Sequence, residues 1–323
     1  MAGVDFGRAG GQESHPLEAE EIPAGPWTGP VVPRARPASL EWRRMEPADY
    51  RRTSYEIWEG MAPGWERWRG QLEEALTPVR EWLIGELASR PGETVLELGA
   101  GAGDTGFAAA AIVGDRGRLI STDFSPDMVE VARRRGAELG LQNADYRVMD
   151  AERIDLDADS VDGVLCQSGY MLMADPAAAL SETRRVLRPG GRLALSVWGV
   201  PEYNPWASIG GRILIERGHM PPPDPEAPGV FSMASDERTR GPLEAAGFTA
   251  VRTEEIPVRF AFRDLDEYER WVMEVGGPFA MVVRGLPERE RGALKTQLGA
   301  AFAPFVVDGG YELPGLALCA IAS

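Results

Sequence analysis

The sequence predicts a doubly wound α/β domain with helical elements added at both ends. Three observations carry this. Short apolar runs recur between residues 94 and 197, helical stretches alternate with them, and the first run ends in a glycine-rich turn that opens a helix. Such alternation builds a parallel sheet whose ligand sits over the carboxyl ends of the strands. With 323 residues and 44% apolar side chains, the chain has enough material for a substantial core.

Residues 1–40 carry many Gly, Pro and Glu without a period of 2 or 3.6, and are expected to form an extended arm. Over 41–90, Trp58, Trp65, Trp68, Leu72, Leu76 and Val79 recur at helical spacing and predict two or three helices, material for a lid. Pro91-Gly92 stops the last of them. Strands follow at 94–98, 118–122, 144–148, 161–166 and 192–197, with helices at 104–113, 126–139 and 176–187, so that 91–200 reads as the ligand-binding core. Pro189-Gly190-Gly191 reads as a turn before the fifth strand. After Trp198 the prolines 221–223, 225 and 228 require a loop. A helix at 235–246, an extended run at 251–262, helices at 265–275 and 287–305 and a final extended run at 311–321 complete a substrate-side portion, 201–323.

The charge balance, 34 Lys+Arg against 50 Asp+Glu, gives a formal charge of -16 and disfavours a nucleic-acid partner, although the 33 arginines allow a local basic pocket. No apolar run reaches 18 residues, and Met1 to Gly10 lacks the basic and apolar regions of a signal peptide, so no membrane partner and a cytosolic location are expected. Cys166 and Cys319 lie in apolar runs and read as buried thiols. With no paired histidines, no metal is expected.

The densest chemical signal is Glu97-Leu98-Gly99-Ala100-Gly101-Ala102-Gly103-Asp104, between a strand and a helix. Glycines there let the backbone turn sharply and approach a ligand closely. Gly101, Gly103 and Gly106 also spell G-x-G-x-x-G, which keeps a nicotinamide-dependent oxidoreductase among the readings. A pyrophosphate at this helix start would face Glu97 and Asp104, whereas a ligand bringing an ammonium and a sulfonium, such as S-adenosylmethionine, suits those carboxylates. Asp123, 20 positions after Gly103, can accept two ribose hydroxyls from either ligand, and Asp150-Ala151 after the third strand can meet an adenine edge.

Together these residues resemble the class I S-adenosylmethionine-dependent methyltransferases, in the branch of the ubiquinone/menaquinone-type and related small-molecule enzymes. The resemblance covers roughly 93–199 and rests on Val95-Leu96-Glu97-Leu98-Gly99-Ala100-Gly101-Ala102-Gly103, Thr122-Asp123-Phe124-Ser125-Pro126-Asp127-Met128, Asp150-Ala151-Glu152, Ser160-Val161-Asp162-Gly163-Val164 and Arg185-Val186-Leu187-Arg188-Pro189-Gly190-Gly191-Arg192-Leu193, in that order. It implies a Rossmann-like seven-stranded sheet with an antiparallel last strand, S-adenosylmethionine as donor and S-adenosylhomocysteine as product. By the same resemblance the loop from Gly99 through Ala100 and Gly101 to Gly103 holds the methionine moiety, with Glu97 organising the loop or the ammonium. Asp123 takes the ribose, Phe124 and Met128 flank the adenine, and Asp150 and Ala151 meet its edge. Gln167 and Ser168 face the methionyl end and the acceptor. Glu152 reads as a solvated turn carboxylate.

Transfer from a sulfonium is a direct displacement, so positioning and desolvation can supply much of the catalysis. A hydroxyl acceptor gains from a general base. His15 falls in the arm, which leaves His219, beside the proline-rich loop that in this family borders the substrate pocket. Trp58, Trp65, Trp198, Tyr203 and Trp206, with Tyr170 and Tyr55, cluster near the expected opening and either line a pocket for a planar acceptor or pack the lid on the sheet. The arm, the proline-rich loop and the helical insertion depart from the quinone enzymes, so the acceptor is an open choice among quinone-like, polyketide, sugar and phenolic molecules. Transfer to oxygen is expected ahead of carbon or nitrogen. A regulatory protein that keeps the cofactor cleft without transfer is the non-enzymatic reading.

Overall fold

The computed structural model describes residues 47–224 and 226–323. The expected arm over 1–40, with His15, and the first residues of 41–90 lie outside the described residues, as does Pro225. Three helices open the described chain: α1 (Pro47–Glu59), α2 (Ala62–Arg67) and α3 (Arg69–Leu87). On α3 the buried residues Leu72, Ala75, Val79, Leu83 and Leu87 fall three or four apart, one apolar stripe that lays the helix across the sheet. Ala88, left-handed at φ 48°, closes α3 by donating its N–H to Ile84 O.

The sheet strands are β1 (Thr94–Leu98), β2 (Arg118–Asp123), β3 (Ala144–Val148), β4 (Val161–Gln167), β5 (Leu187–Trp198), β6 (Arg252–Phe262), β7 (Val306–Val307) and β8 (Gly310–Ala322). Their order is β3-β2-β1-β4-β5-β8-β6, with β7 pairing β8 off that path. β1 to β5 are mutually parallel, and β8 runs antiparallel to both β5 and β6. The sheet therefore has eight strands against the seven expected, the additional one being the two-residue β7 that forms a hairpin with β8. Helices α4 (Asp104–Val113), α5 (Pro126–Glu138) and α6 (Pro176–Val186) are the crossovers. Ser125 and Asp175 cap α5 and α6 by accepting the N–H of Met128 and Ala178, and Pro stands in the first turn of each, the start signal the sequence displays.

The boundaries match closely, with two differences. β5 begins at Leu187 rather than at 192, because Leu187 pairs with Val161 and Arg192 with Gly163, so that Pro189-Gly190-Gly191 forms a bulge inside the strand pairing. The helix expected over 287–305 splits into α11 (Glu288–Ala301) and a 3₁₀ turn, Ala303–Phe305. Helices α8 (Asp236–Ala245) and α9 (Leu265–Val275) appear where expected. Two helices were not legible: α7 (Pro205–Glu216), with Gly210-Gly211 at its centre and no side-chain cap, and the eight-residue α10 (Pro278–Gly285). No described helix is long and apolar enough to cross a membrane.

A buried asparagine fixes the junction after β5. Asn204 is fully buried, and its amide donates to the carbonyls of Gly199, Val200 and Leu316, each at 3.1 Å. Its Oδ1 accepts the Leu316 N–H and the Trp206 indole N–H, each at 3.0 Å. One side chain thus ties β5 to β8 and sets the orientation of Trp206. Asn204→Ala would orphan several buried groups and is expected to cost about 1–3 kcal/mol, read by urea denaturation. A loss below about 0.5 kcal/mol would contradict this role.

Candidate functional site

The site grows from the carboxyl ends of β1 and β2. After Leu98 the chain turns through Gly99, Gly101 and Gly103, at φ 63°, 53° and 89°, into the first turn of α4. Beneath this turn lies Glu97, 3% exposed. Its Oε1 accepts the Gly106 N–H at 2.6 Å and its Oε2 accepts the Ser121 hydroxyl at 2.9 Å. A Cβ at position 106 would stand 2.2 Å from Oε2, so the third glycine of the G-x-G-x-x-G string is there for the carboxylate and not for a dinucleotide. Burial pushes the Glu97 carboxyl up to about 7, against the Ser121 and Gly106 hydrogen bonds and with help from the charges of Asp104 and Asp123.

Asp123 ends β2 at 7% exposure. Its Oδ2 accepts the Gly101 N–H and its Oδ1 the Ser125 N–H, each at 3.0 Å. Burial raises its carboxyl above the usual range, and these backbone bonds oppose the shift. Arg135 of α5, 5% exposed, donates to the Ala102 carbonyl and pairs with Asp104, with its guanidinium 5.5 Å over the Phe107 ring. The glycine turn is therefore held from below by Glu97, from one side by Asp123 and from the other by Arg135.

A continuous cleft of about 320 Å³ opens above these residues. At one end it is lined by Glu97, Gly99, Ala100, Gly101 and Asp123, then by Phe124, Met128, Asp150 and Ala151. Gln167 lines it from β4, held by the Thr105 hydroxyl at 2.7 Å, and Ser168 follows at φ 58°. The other end is aromatic. Trp206 lies 4.7 Å from Trp198 and 4.8 Å from Phe260, and Phe260 lies 5.5 Å from Trp271, centroid to centroid. Trp58 and Trp65 cover the first end from α1 and α2. Glu152 is no solvated carboxylate: its side chain is 7% exposed, it pairs with Arg51 of α1, and it accepts the Asp175 N–H at 3.0 Å. With the Tyr50 hydroxyl donating to Leu172 O at 2.9 Å, it fastens α1 over the cleft.

Four residues expected at the site stand elsewhere. His219 does not line the cleft; its Nε2 meets Glu290 of α11 at 3.0 Å beside Arg217, so it staples a loop and offers the cleft no base. Tyr170 is fully buried with its hydroxyl 2.6 Å from that of Thr183, a core residue. Tyr203 is 51% exposed on a 3₁₀ turn outside the lining. Gly103 caps α4 against Phe107 rather than facing the cleft. Tyr55 stands behind Phe124, 6.1 Å ring to ring. The sequence reading missed Arg51, Arg69, Thr105, Phe260 and Trp271. Only Arg69, on the helical period of Leu72 and Leu76, left a signal that could have found it. Among the described residues no group of three or more His, Cys, Asp or Glu could hold a metal ion.

Residues 89–204 match the family model of a methyltransferase domain. The arsenite methyltransferase of Halobacterium salinarum is 33% identical over 188 residues, which is 56% of this chain and 45% of that protein. The demethylmenaquinone methyltransferase of Beutenbergia cavernae is 35% identical over 135 residues, 42% of this chain and 53% of that protein. The chain spans about half the length of the curated relatives it matches. A solved structure from Bacillus halodurans C-125 shares the fold at a TM-score of 0.52 and 23% identity, covering 75% of this chain and 97% of that one.

Because the folded Glu97 carboxyl keeps its proton to about pH 7 while the unfolded one releases it near 4.5, ionising it costs stability as pH rises through that window. Glu97→Gln removes the cost, so the stability difference between variant and parent should move in the variant's favour by about 3 kcal/mol between pH 4.5 and 7.5. Denaturant titrations at several pH values read this. A difference independent of pH would contradict it.

Proposed function

We propose that this chain, whose residues 89–204 form a class I S-adenosylmethionine-dependent methyltransferase domain, transfers a methyl group to an oxygen of a small, partly apolar molecule. The observation that carries the reading is the continuity of the cleft from the Asp123 carboxylate to the aromatic wall of Trp198, Trp206, Phe260 and Trp271. The donor end fits the donor. Asp123 and Asp150 face it, and the nearby cations Arg51 and Arg135 are engaged by Glu152 and Asp104, so the local field favours a cationic ligand. The same field and the assignment of Gly106 to Glu97 disfavour a dinucleotide pyrophosphate.

In this reading Asp123 accepts the ribose hydroxyls, Phe124 and Met128 enclose the adenine, and Asp150 with Ala151 meets its edge. When bound, the donor supplies an electrophilic methyl carbon, which the acceptor oxygen attacks as the carbon–sulfur bond breaks and its electron pair stays on sulfur. The protein's own part is to align the acceptor and keep water out. Trp58 and Trp65 on α1 and α2 cover the donor end as a lid, and the four aromatic side chains form an apolar wall suited to a planar body. Oxygen is preferred because an ionising hydroxyl or acid asks least of a cleft to which the described histidine, His219, is not brought. Arsenite and demethylmenaquinone, for which these two relatives are named, differ too much to choose the acceptor.

Calorimetry of the whole protein with S-adenosylmethionine, S-adenosylhomocysteine and NADH tests the donor, and methyl transfer from labelled donor to a panel of phenols and aromatic acids tests the acceptor. Micromolar binding of the adenosyl ligands without NADH binding is expected, and NADH binding alone would overturn the reading. Donor binding without transfer to any member of the panel would favour a regulatory role. Asp123→Ala should weaken donor binding by roughly 10- to 150-fold. Unchanged affinity in a folded variant would remove the ribose assignment.

A further inference from the structure

Three arginines among the described residues line the cleft: Arg51, Arg69 and Arg80. Arg51 pairs with Glu152. Arg80 meets the Glu73 carboxylate at 3.5 Å and donates to the Thr77 hydroxyl at 3.1 Å. Glu73, four residues after Arg69, is thus turned toward Arg80. Arg69 itself is half-buried and makes no ion pair or side-chain hydrogen bond among the described residues. Helix stability does not account for it either: Arg69 opens α3, whose first turn holds no acidic residue, and the helix dipole disfavours a cation there. In a chain of formal charge -16, a cleft-lining guanidinium without a carboxylate is open to a partner from outside the chain.

The residues on either side of Arg69 are tied to the elements that carry the aromatic wall. Trp68 donates its indole N–H to Glu274 Oε2 at 2.7 Å, three residues beyond Trp271 on α9. Gln71 donates its amide to the carbonyl of Ala261, the residue after Phe260 on β6. The first turn of α3 is therefore pinned to α9 on one side and to β6 on the other, and Arg69 enters the cleft at the edge of the wall that Phe260 and Trp271 help to build. Leu72 and Leu76, which follow Arg69 on the same helical face, line the cleft as well. An apolar surface with a single unmatched cation at its edge holds a ligand whose body is apolar and whose end is anionic, and the charge fixes which way round it lies.

We infer that the methyl acceptor is a planar molecule carrying a carboxylate, and that Arg69 binds this carboxylate and so sets which edge of the molecule is turned to the donor. The inference rests on the methyltransferase reading given above and names the substrate class for it. The carboxylate is the anchor, while the aromatic wall takes the ring. A guanidinium presents paired N–H groups to a carboxylate, so lysine is a partial replacement and methionine, which keeps an apolar stem, is none.

Calorimetry on the full chain saturated with S-adenosylhomocysteine tests this, using planar carboxylates of one, two and three rings: 4-hydroxybenzoate, 6-hydroxy-2-naphthoate and anthraquinone-2-carboxylate. Each is compared with its neutral carboxamide, which has the same shape. The best-fitting carboxylate should bind about tenfold or more tighter than its amide. Arg69→Met should abolish that preference while leaving the amide and S-adenosylhomocysteine affinities unchanged, and this retained binding also shows that the variant is folded. Arg69→Lys should fall between, and Arg80→Met should keep the preference. A parent that prefers none of the three carboxylates or binds none of the probes, or a preference that survives Arg69→Met, would overturn the inference and leave the donor reading intact. So would a loss of S-adenosylhomocysteine affinity in Arg69→Met, because it would assign the guanidinium to the donor. Failure of the parent to bind S-adenosylhomocysteine would instead bring down the donor reading, and this inference with it.

Discussion

Burying the Glu97 carboxylate under the glycine turn is the constraint on which the rest of the site depends. A carboxylate taken from water must be compensated, and here both oxygens are claimed, one by the Gly106 N–H in the first turns of α4 and one by Ser121 in β2. These bonds join β1, β2 and α4 at the point where the strands end. The turn above them then has little freedom, because Gly101 N–H is also taken by Asp123 and the Ala102 carbonyl by Arg135. A loop held at three places by buried groups presents a fixed surface to a ligand, which is what a displacement reaction relying on alignment requires.

The same arrangement sets the electrostatics of the cleft. Carboxylates dominate one end, and the nearby arginines Arg51 and Arg135 are engaged by Glu152 and Asp104. A ligand that brings positive charge to that end matches such a pattern better than a uniformly anionic one. The aromatic end contributes shape rather than charge. Its rings pack edge-to-face and tilted on one another, with Trp206 oriented by Asn204, so the wall is part of the core as well as part of the cleft.

Much of the donor end was legible in the sequence because its residues are local to strand ends and turns. A strand followed by glycines, an acidic residue closing the next strand and a capped helix start are short-range patterns, and the alternation of periods marked α4 to α6 and β1 to β5 within a residue or two apart from the start of β5. What was missed depends on long-range contact. His219 sits beside the proline-rich loop in sequence, yet it is drawn to Glu290, 71 residues away. Tyr170 follows β4 directly but turns inward to Thr183. Trp271 and Phe260 reach the cleft only because β6 pairs with β8 and packs on α3, and α9 packs against α2 and β6. Arg51 and Glu152, 101 residues apart, carry no local sign of their pairing. The helix α7 hid behind its central glycines, which lower helix propensity and are offset by the burial of Ile209, Ile213 and Leu214.

Whether the Glu97-supported turn is the floor of a donor site decides how the cleft works. A crystal structure of the full chain grown with S-adenosylhomocysteine measures this most directly. The ribose hydroxyls are expected within hydrogen-bond distance of Asp123, the adenine between Phe124 and Met128, and Glu97 still bonded to Gly106 and Ser121. A nucleoside bound elsewhere, or a Glu97 carboxylate swung out of its buried position to make room for the ligand, would contradict it.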